Sequence, residues 1–242
     1  MIVGTSALSV TLYEGGRTAH NLFRIPVIEV CSHDDYHTFY SMLCLAFQNN
    51  IALKSSIQPF SPRAALISSA AVIVWEEFAS SNVVVAECAH EICCLITNCH
   101  APFGRIPFIT VGDFQQVAPV VQGQGKTPTI LASVKRSHLW PHFIPLALHF
   151  SYRGASDPEY TSFVDSVGED YTHEKVPLDI LDTVTNINEA INFLFPSDIL
   201  RNPLLCLKRA FLSPKNKDVD DFNNCILDRL EGEECTYLFS LE

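Results

Sequence analysis

The sequence predicts an α/β fold organised on a parallel sheet, and two apolar runs carry that expectation. Phe108-Ile109-Thr110-Val111 is apolar or β-branched without alternation, which suits a strand buried on both faces. It ends on Gly112-Asp113, then Gln115-Gln116, and Ala118-Pro119 keeps a helix from starting at once. Ligands in open α/β sheets sit outside the carboxyl ends of the strands, so Asp113 and Gln116 stand where a ligand is expected. Ala71-Val72-Ile73-Val74-Trp75 is a second such run and ends on Glu76-Glu77. An apolar strand emptying into paired acids has the shape of a Walker B element. One acid there holds Mg²⁺ through water and the next orients the attacking water. Ordinary solvated strand ends share the pattern, so the pair alone decides nothing.

From the beginning of the chain, Ile2-Val3 reads as a short strand and Ala7–Leu12 as a brief helix. A turn at Gly15-Gly16 leads into a helix that carries His20. Cys31 to Pro62 is poorly patterned, with an acidic and histidine-rich patch at Ser32–His37 and an apolar stretch of expected helix at Phe39–Phe47. Pro62–Ser69 is an expected helix leading into the strand at Val72, and Ala79–Cys99 is a second. Gly125-Lys126-Thr127 ends like a phosphate loop. The spacing G-x-x-x-x-G-K-T needs glycine at 120, where Val120 stands, and Pro128 argues against a helix running on from Thr127. A surface turn is expected there.

Further on, a strand is expected at Pro145–His149, a helix at Asp157–Val167, mostly loop over Asp165–Asp182, and a helix at Ile187–Phe195. Ala210-Phe211-Leu212 reads as a strand. The helix after it, Lys217–Leu230, places Val219, Phe222, Ile226 and Leu230 on one core face. Asp218, Asp220 and Asp221 in its first turn suit the helix dipole.

Composition narrows the class. With 242 residues, 48% of them hydrophobic, the chain can fill a sizeable core and is not disordered. No apolar run approaches eighteen residues and no basic-then-apolar leader opens the sequence, so no membrane partner is expected. The net charge of −11 is uneven. Residues 1–155 hold 9 Lys+Arg and 9 Asp+Glu, whereas residues 156–242 hold 7 and 18. That excludes a uniformly basic nucleic-acid-binding module, although a local strand channel escapes the objection. The nine cysteines are odd in number and come without a secretory signal, which argues against a disulfide framework. Cys88, His90, Cys93, Cys94, Cys99 and His100 invite a zinc reading. They fall on an expected helix without a paired C-x-x-C knuckle, so buried thiols are expected and structural zinc is not.

Taken together, the motifs resemble the PIF-type and Helitron-type DNA helicases of the superfamily-one, RecD-like group. Val72–Phe78, VIVWEEF, is similar to that family's second motif, and Gly112–Val120, GDFQQVAPV, to its third, G-D-F-R-Q-x-x-P-V. Ser137–Pro141 resembles the S-x-L-W-P that follows, and Leu148–Asp157, LHFSYRGASD, the fourth motif. Gly15–Pro26, GGRTAHNLFRIP, resembles G-G-R-T-A-H-S-x-F-x-I-P, and Ala210–Leu227 resembles a late segment. The matches run in family order over nearly the whole chain.

The resemblance implies a P-loop NTPase fold: residues 1–147 as most of a first RecA-like lobe, with a small insert at 31–62, and 148–242 as the beginning of a second. It implies ATP and Mg²⁺ as cofactors and DNA as partner, single-stranded or at duplex junctions. It also implies 5′ to 3′ unwinding in repair, recombination or telomere maintenance, in the nucleus or the mitochondrion. By position, Glu76 holds Mg²⁺ through water, Glu77 polarises the attacking water, Gln116 senses the γ-phosphate and Arg153 reaches it from the second lobe. Asp113 belongs to the same nucleotide site. Arg17, Thr18 and His20 are implied strand contacts, with packing as the alternative for His20. Three departures stand out: Glu76 where aspartate is usual, Gln115 where arginine is common, and Tyr152 where methionine is. The Walker A loop and the last motifs are expected to lie outside these residues. Two other readings stay open: a catalytically inactive remnant of a mobile element that binds only DNA or a partner, and a metal-dependent phosphatase-like enzyme using Glu76, Glu77 and Asp113.

Overall fold

Four short parallel strands form the sheet in a computed structural model that describes residues 1–26, 53–121, 126–169, 172 and 177–230. They are β1 (Ile2–Gly4), β2 (Arg17–Thr18), β3 (Ile73–Glu76) and β4 (Phe108–Thr110), in the order β2-β1-β3-β4. The register pairs Val3 with Arg17 and Trp75, and Trp75 with Thr110. The two motif strands are therefore parallel neighbours, as expected, and their carboxyl ends share one edge of the sheet.

Because side chains alternate along a strand, Val3, Ile73 and Trp75 lie on one face, and all three are fully buried. Three helices contribute to that core: α1 (Ala19–Phe23), α2 (Pro62–Ser68) and α3 (Val83–Thr97). Each start has a local cause. Thr18 Oγ1 accepts from Asn21 N, Ser61 Oγ from Ala64 N with Pro62 next in line, and Asn82 Oδ1 from Val84 N. Asn98 closes α3 in the left-handed conformation. On α3, Val85, Ala89 and Ile92 repeat at helical spacing and are buried together with Cys88 and Cys93.

Cys88 and Cys93 match the buried thiols expected for this stretch, whereas Cys94 and Cys99 are only half-buried. Burial pushes Cys88 up to about 11 and Cys93 up to about 12. Thiolate is the reactive form, so at pH 8 the native chain should leave both unmodified by iodoacetamide while Cys206 and Cys225 react. Peptide mapping checks this, and early labelling of Cys93 would contradict the packing. Cys31, Cys44 and Cys235 lie outside the described residues.

Several elements differ from the sequence-based expectation. β4 is not buried on both faces: Ile109 is 54% exposed. Among the described residues β4 pairs only with β3, so it lies at the sheet edge with one face uncovered. Pro145–His149 and Ala210–Leu212 form no strands: among the described residues neither segment finds a ladder partner, and both lie largely exposed. Helix α4 (Lys126–Ala132) forms despite Pro128. Proline there falls in the first turn, where the backbone N–H has no helical acceptor to lose. The expected insert at 31–62 lies mostly outside the described residues. Its last part, from Leu53, belongs to the core through Leu53 and Ile57.

The chain divides into two compact units, Met1–His173 and Glu174–Glu242. The lobe boundary inferred from motifs, at 147/148, is a different division. The first unit includes α5 (Pro158–Glu169). The second is built on α6 (Ile187–Leu194) and α7 (Asn216–Leu227). Asn186 Oδ1 caps Glu189 N, and the Glu189 carboxylate accepts from Thr185 N, a reciprocal capping arrangement. Phe222 is buried and stacks on Phe211 with 4.0 Å between ring centres, while Leu230, expected on the same face, is exposed.

Candidate functional site

The carboxyl edge of the sheet gathers the motif residues in a row. β3 ends at Glu76, whose carbonyl accepts from Thr5 N, extending the β1–β3 ladder. Glu77 follows with φ 56 and ψ 33. A left-handed glutamate is uncommon and is held only where its surroundings determine it. Here three groups converge on its carbonyl oxygen: Thr5 Oγ1 at 2.8 Å, Ser80 Oγ at 2.9 Å and Ser80 N at 3.1 Å. Thr5 Oγ1 in turn accepts from Trp75 Nε1 at 3.2 Å. A buried indole thus supports the backbone turn that presents the exposed Glu77 carboxylate.

The neighbouring motif docks against this turn. Phe78 N donates to Val111 O, and Val111 N to Trp75 O, so pairing continues past both strand ends. A side chain on Gly112 would place its Cβ 2.7 Å from Ala79 N, so only glycine lets the chain pass there. Asp113 then folds an Asx turn: Oδ1 accepts from Gln115 N at 2.8 Å and Oδ2 from Gln116 Nε2 at 3.1 Å. The geometry makes Asp113 the residue that orients the exposed Gln116.

Glu76 accepts a hydrogen bond from Tyr13 Oη at 2.9 Å through Oε1. That bond, and then the carboxylate's charge, raise the Tyr13 pKa above its ordinary value. Sequence reasoning missed Tyr13 and Thr5, which act through tertiary contact, and Ser80, whose contact with Glu77 is local but falls outside the matched motif. The acid set suits Mg²⁺, which takes one or two carboxylates and completes its shell with water and phosphate. Among the described residues no group of three or more His, Cys, Asp or Glu side chains forms a cage.

At the other end of the row Arg17 is exposed, and the Thr18 hydroxyl is engaged in capping α1. His20 is half-buried, and desolvation lowers its pKa. Around the five-residue α1 stand Arg17, Arg24 at its C-cap, and Arg63, whose Nη1 donates to Asn21 O at 3.3 Å. Desolvation, then repulsion from Arg24 and Arg17, lowers the Arg63 pKa. None of the three has an ion-pair partner among the described residues. Arg153 sits in an exposed turn, and no hydrogen bond or ion pair joins it to Glu76, Glu77, Asp113 or Gln116.

The family model of PIF1-like helicases matches residues 30–167, more than half of the chain. The chain belongs to the PIF1-like helicase family. Its fold is similar to that of a Pif1 helicase from Candida albicans, with a TM-score of 0.58 and 16% identity over 96% of this chain and 45% of that one. A Bacteroides Pif1 helicase solved with ADP-AlF3 and ssDNA gives a TM-score of 0.55 and 16% identity over 96% of this chain and 48% of that one. The chain therefore spans less than half the length of either helicase. No curated protein matches it. Family membership sets aside the phosphatase-like reading and accounts for the α/β fold with its parallel sheet.

Proposed function

We propose that this chain carries part of the catalytic cleft of an ATP-dependent DNA helicase that moves 5′ to 3′ along single-stranded DNA. The observation that carries the reading is the side-by-side pairing of β3 and β4, with Glu77 and Gln116 presented from one sheet edge. Bound Mg²⁺-ATP supplies the phosphoryl group and the charge that this edge handles. Glu76 would hold the metal through water with the carboxylate oxygen not engaged by Tyr13. Glu77 would orient the attacking water and accept its proton, Gln116 would hydrogen-bond the terminal phosphate, and Arg153 would approach from the opposite side. Arg17, Arg24 and Arg63 form the cationic patch for strand phosphates, and Thr18 and His20 shape it from α1. The corresponding setting is repair, recombination or telomere maintenance at duplex junctions, in the nucleus or the mitochondrion.

The 242 residues contain no G-x-x-x-x-G-K-T. The lysine of that loop contacts the β- and γ-phosphates. The 242-residue chain is therefore expected to bind single-stranded oligothymidylate while hydrolysing no ATP above background. Arg17→Glu should weaken strand binding roughly tenfold, the size of one charge-assisted contact. Fluorescence anisotropy and phosphate release measure both. Equal affinity for strand and blunt duplex would remove the helicase reading. Strand-stimulated turnover abolished by Glu77→Gln would show that the cleft is complete without that loop.

A further inference from the structure

Beside the motif edge lies a cavity of about 270 Å³ that Gln116 borders and whose other lining residues have no assigned role. Its walls come from the loop after β4, from α4 and from the turn that follows α4, and Ala79 joins it to the turn behind Glu77. Phe114, Val117, Pro119 and Ile130 make it apolar, while Lys135 and Arg136 bring two cations to its lining. Among the described residues no acidic side chain lines it, in a chain whose net charge is −11.

The features are built rather than incidental. Phe114 is 43% exposed, yet held edge-on by Trp140 with ring centres 5.5 Å apart. Lys135 Nζ stands 3.9 Å from the Phe114 ring centre, a cation–π contact that keeps the ammonium at the apolar wall. Ser133 Oγ accepts from Lys135 N, fixing the turn that carries both cations. Val117 and Ile130 stay 70% and 51% exposed, so the walls are open to a ligand.

An apolar slot edged by two cations matches a flat ring joined to a phosphate. The volume falls just below the roughly 300–1,000 Å³ of whole-ligand pockets, which favours one ring system over an entire nucleoside triphosphate. Single-strand binders combine these same elements, an aromatic or apolar platform and a cationic track. We infer that the slot between Phe114, Ile130 and Lys135-Arg136 seats one base of single-stranded DNA, with the adjoining phosphates on the two cations. This deepens the helicase reading and rests on it. It would place a strand contact beside Gln116, at the opposite end of the sheet edge from Arg17.

The test uses the 242-residue chain, a fluorescent oligothymidylate, and the variants Phe114→Ala and Lys135→Glu/Arg136→Glu. Each is expected to weaken strand binding roughly tenfold, the scale of one lost base stack or of two lost phosphate contacts. A 5-bromodeoxyuridine strand is expected to photocrosslink to the tryptic peptide Ile106–Lys126, which contains Phe114. If the unaltered chain binds the strand and both variants bind equally well, with no crosslink there, the slot is not a base site and the helicase reading survives. If the unaltered chain binds no strand, the helicase reading itself fails. Displacement of the strand by thymidine monophosphate or ATP, with loss of that competition in Phe114→Ala, would make the slot a free-nucleotide site and overturn the inference.

Discussion

Replacing Trp75 by alanine is expected to lower the unfolding free energy of the Met1–His173 unit by about 3–5 kcal/mol, the range for truncating a buried aromatic. Trp75 is fully buried on the central strand β3. Its ring lies 5.9 Å from Phe23 in a stacked arrangement and 5.2 Å from Phe78 edge-on. Alanine would leave a cavity between the sheet and α1 that this close packing cannot fill. A second loss follows from the indole N–H. Without it Thr5 Oγ1 loses its donor, and the chain of contacts from Trp75 through Thr5 to the Glu77 carbonyl is broken. Trp75→Phe separates the two effects, because it keeps most of the packing and removes only the hydrogen bond. It should cost about 1 kcal/mol from the bond itself, plus the smaller volume. Urea unfolding with an unchanged m-value measures both. Equal costs for alanine and phenylalanine would place the stabilisation in the hydrogen bond rather than in the packing.

Much of this fold was legible because its signals are local. Uniform apolar runs at 72–75 and 108–111 marked the two motif strands, and their parallel pairing was anticipated. A helix was expected over Ala79–Cys99, and α3 forms inside it at Val83–Thr97, capped by Asn82 and Asn98, with Val85, Ala89 and Ile92 on its buried face. What misled was strand propensity without a partner. Pro145–His149 and Ala210–Leu212 have strand-like composition, but a strand exists only where a ladder is available, which depends on distant chain. The exposure of Ile109 has the same origin, since periodicity reports a residue's character and not its position at a sheet edge. Pro128 was read as a barrier although its place in the first turn makes it harmless.

The site divides along similar lines. Glu76, Glu77, Asp113 and Gln116 were visible through their motif spacing, and the edge that presents them was correctly anticipated. The supporting residues were not. Tyr13 on Glu76 and Thr5 on Glu77 span 63 and 72 positions in sequence, and no short pattern links them. The turn-building use of Asp113 was legible in principle from the D-x-x-Q spacing. The arginines gathered around α1 could not be read as a cluster, because Arg63 reaches Asn21 only through the packing of the core.

Gly104→Ala should be nearly as damaging as the loss of Trp75, although Gly104 touches no motif residue. It lies in the loop between α3 and β4 with φ +61. An added Cβ would sit 2.5 Å from the Cys93 carbonyl oxygen and 2.8 Å from the Cys93 carbonyl carbon, and it would also meet Thr97 Oγ1. The Thr97 side chain can rotate away, but the α3 backbone cannot. The left-handed conformation costs an L-residue about 1–2 kcal/mol. Overpacking against backbone adds about 1–3 kcal/mol, so a total of about 2–5 kcal/mol is expected. The effect should also reach the motif edge. This loop is pinned to α3 by Phe103 N donating to His90 Nδ1 at 2.9 Å, and four residues after Phe103 the Pro107 carbonyl accepts from Ile73 N to begin the β3–β4 pairing. A loop pushed off α3 carries that pairing with it, and with it the passage of Gly112 against Ala79. Gly104→Ala should therefore lower the urea midpoint and weaken oligothymidylate binding together. A wild-type midpoint would show that the loop yields without cost. A lowered midpoint with unchanged binding in the folded fraction would show that β4 keeps its register independently of the loop that leads into it.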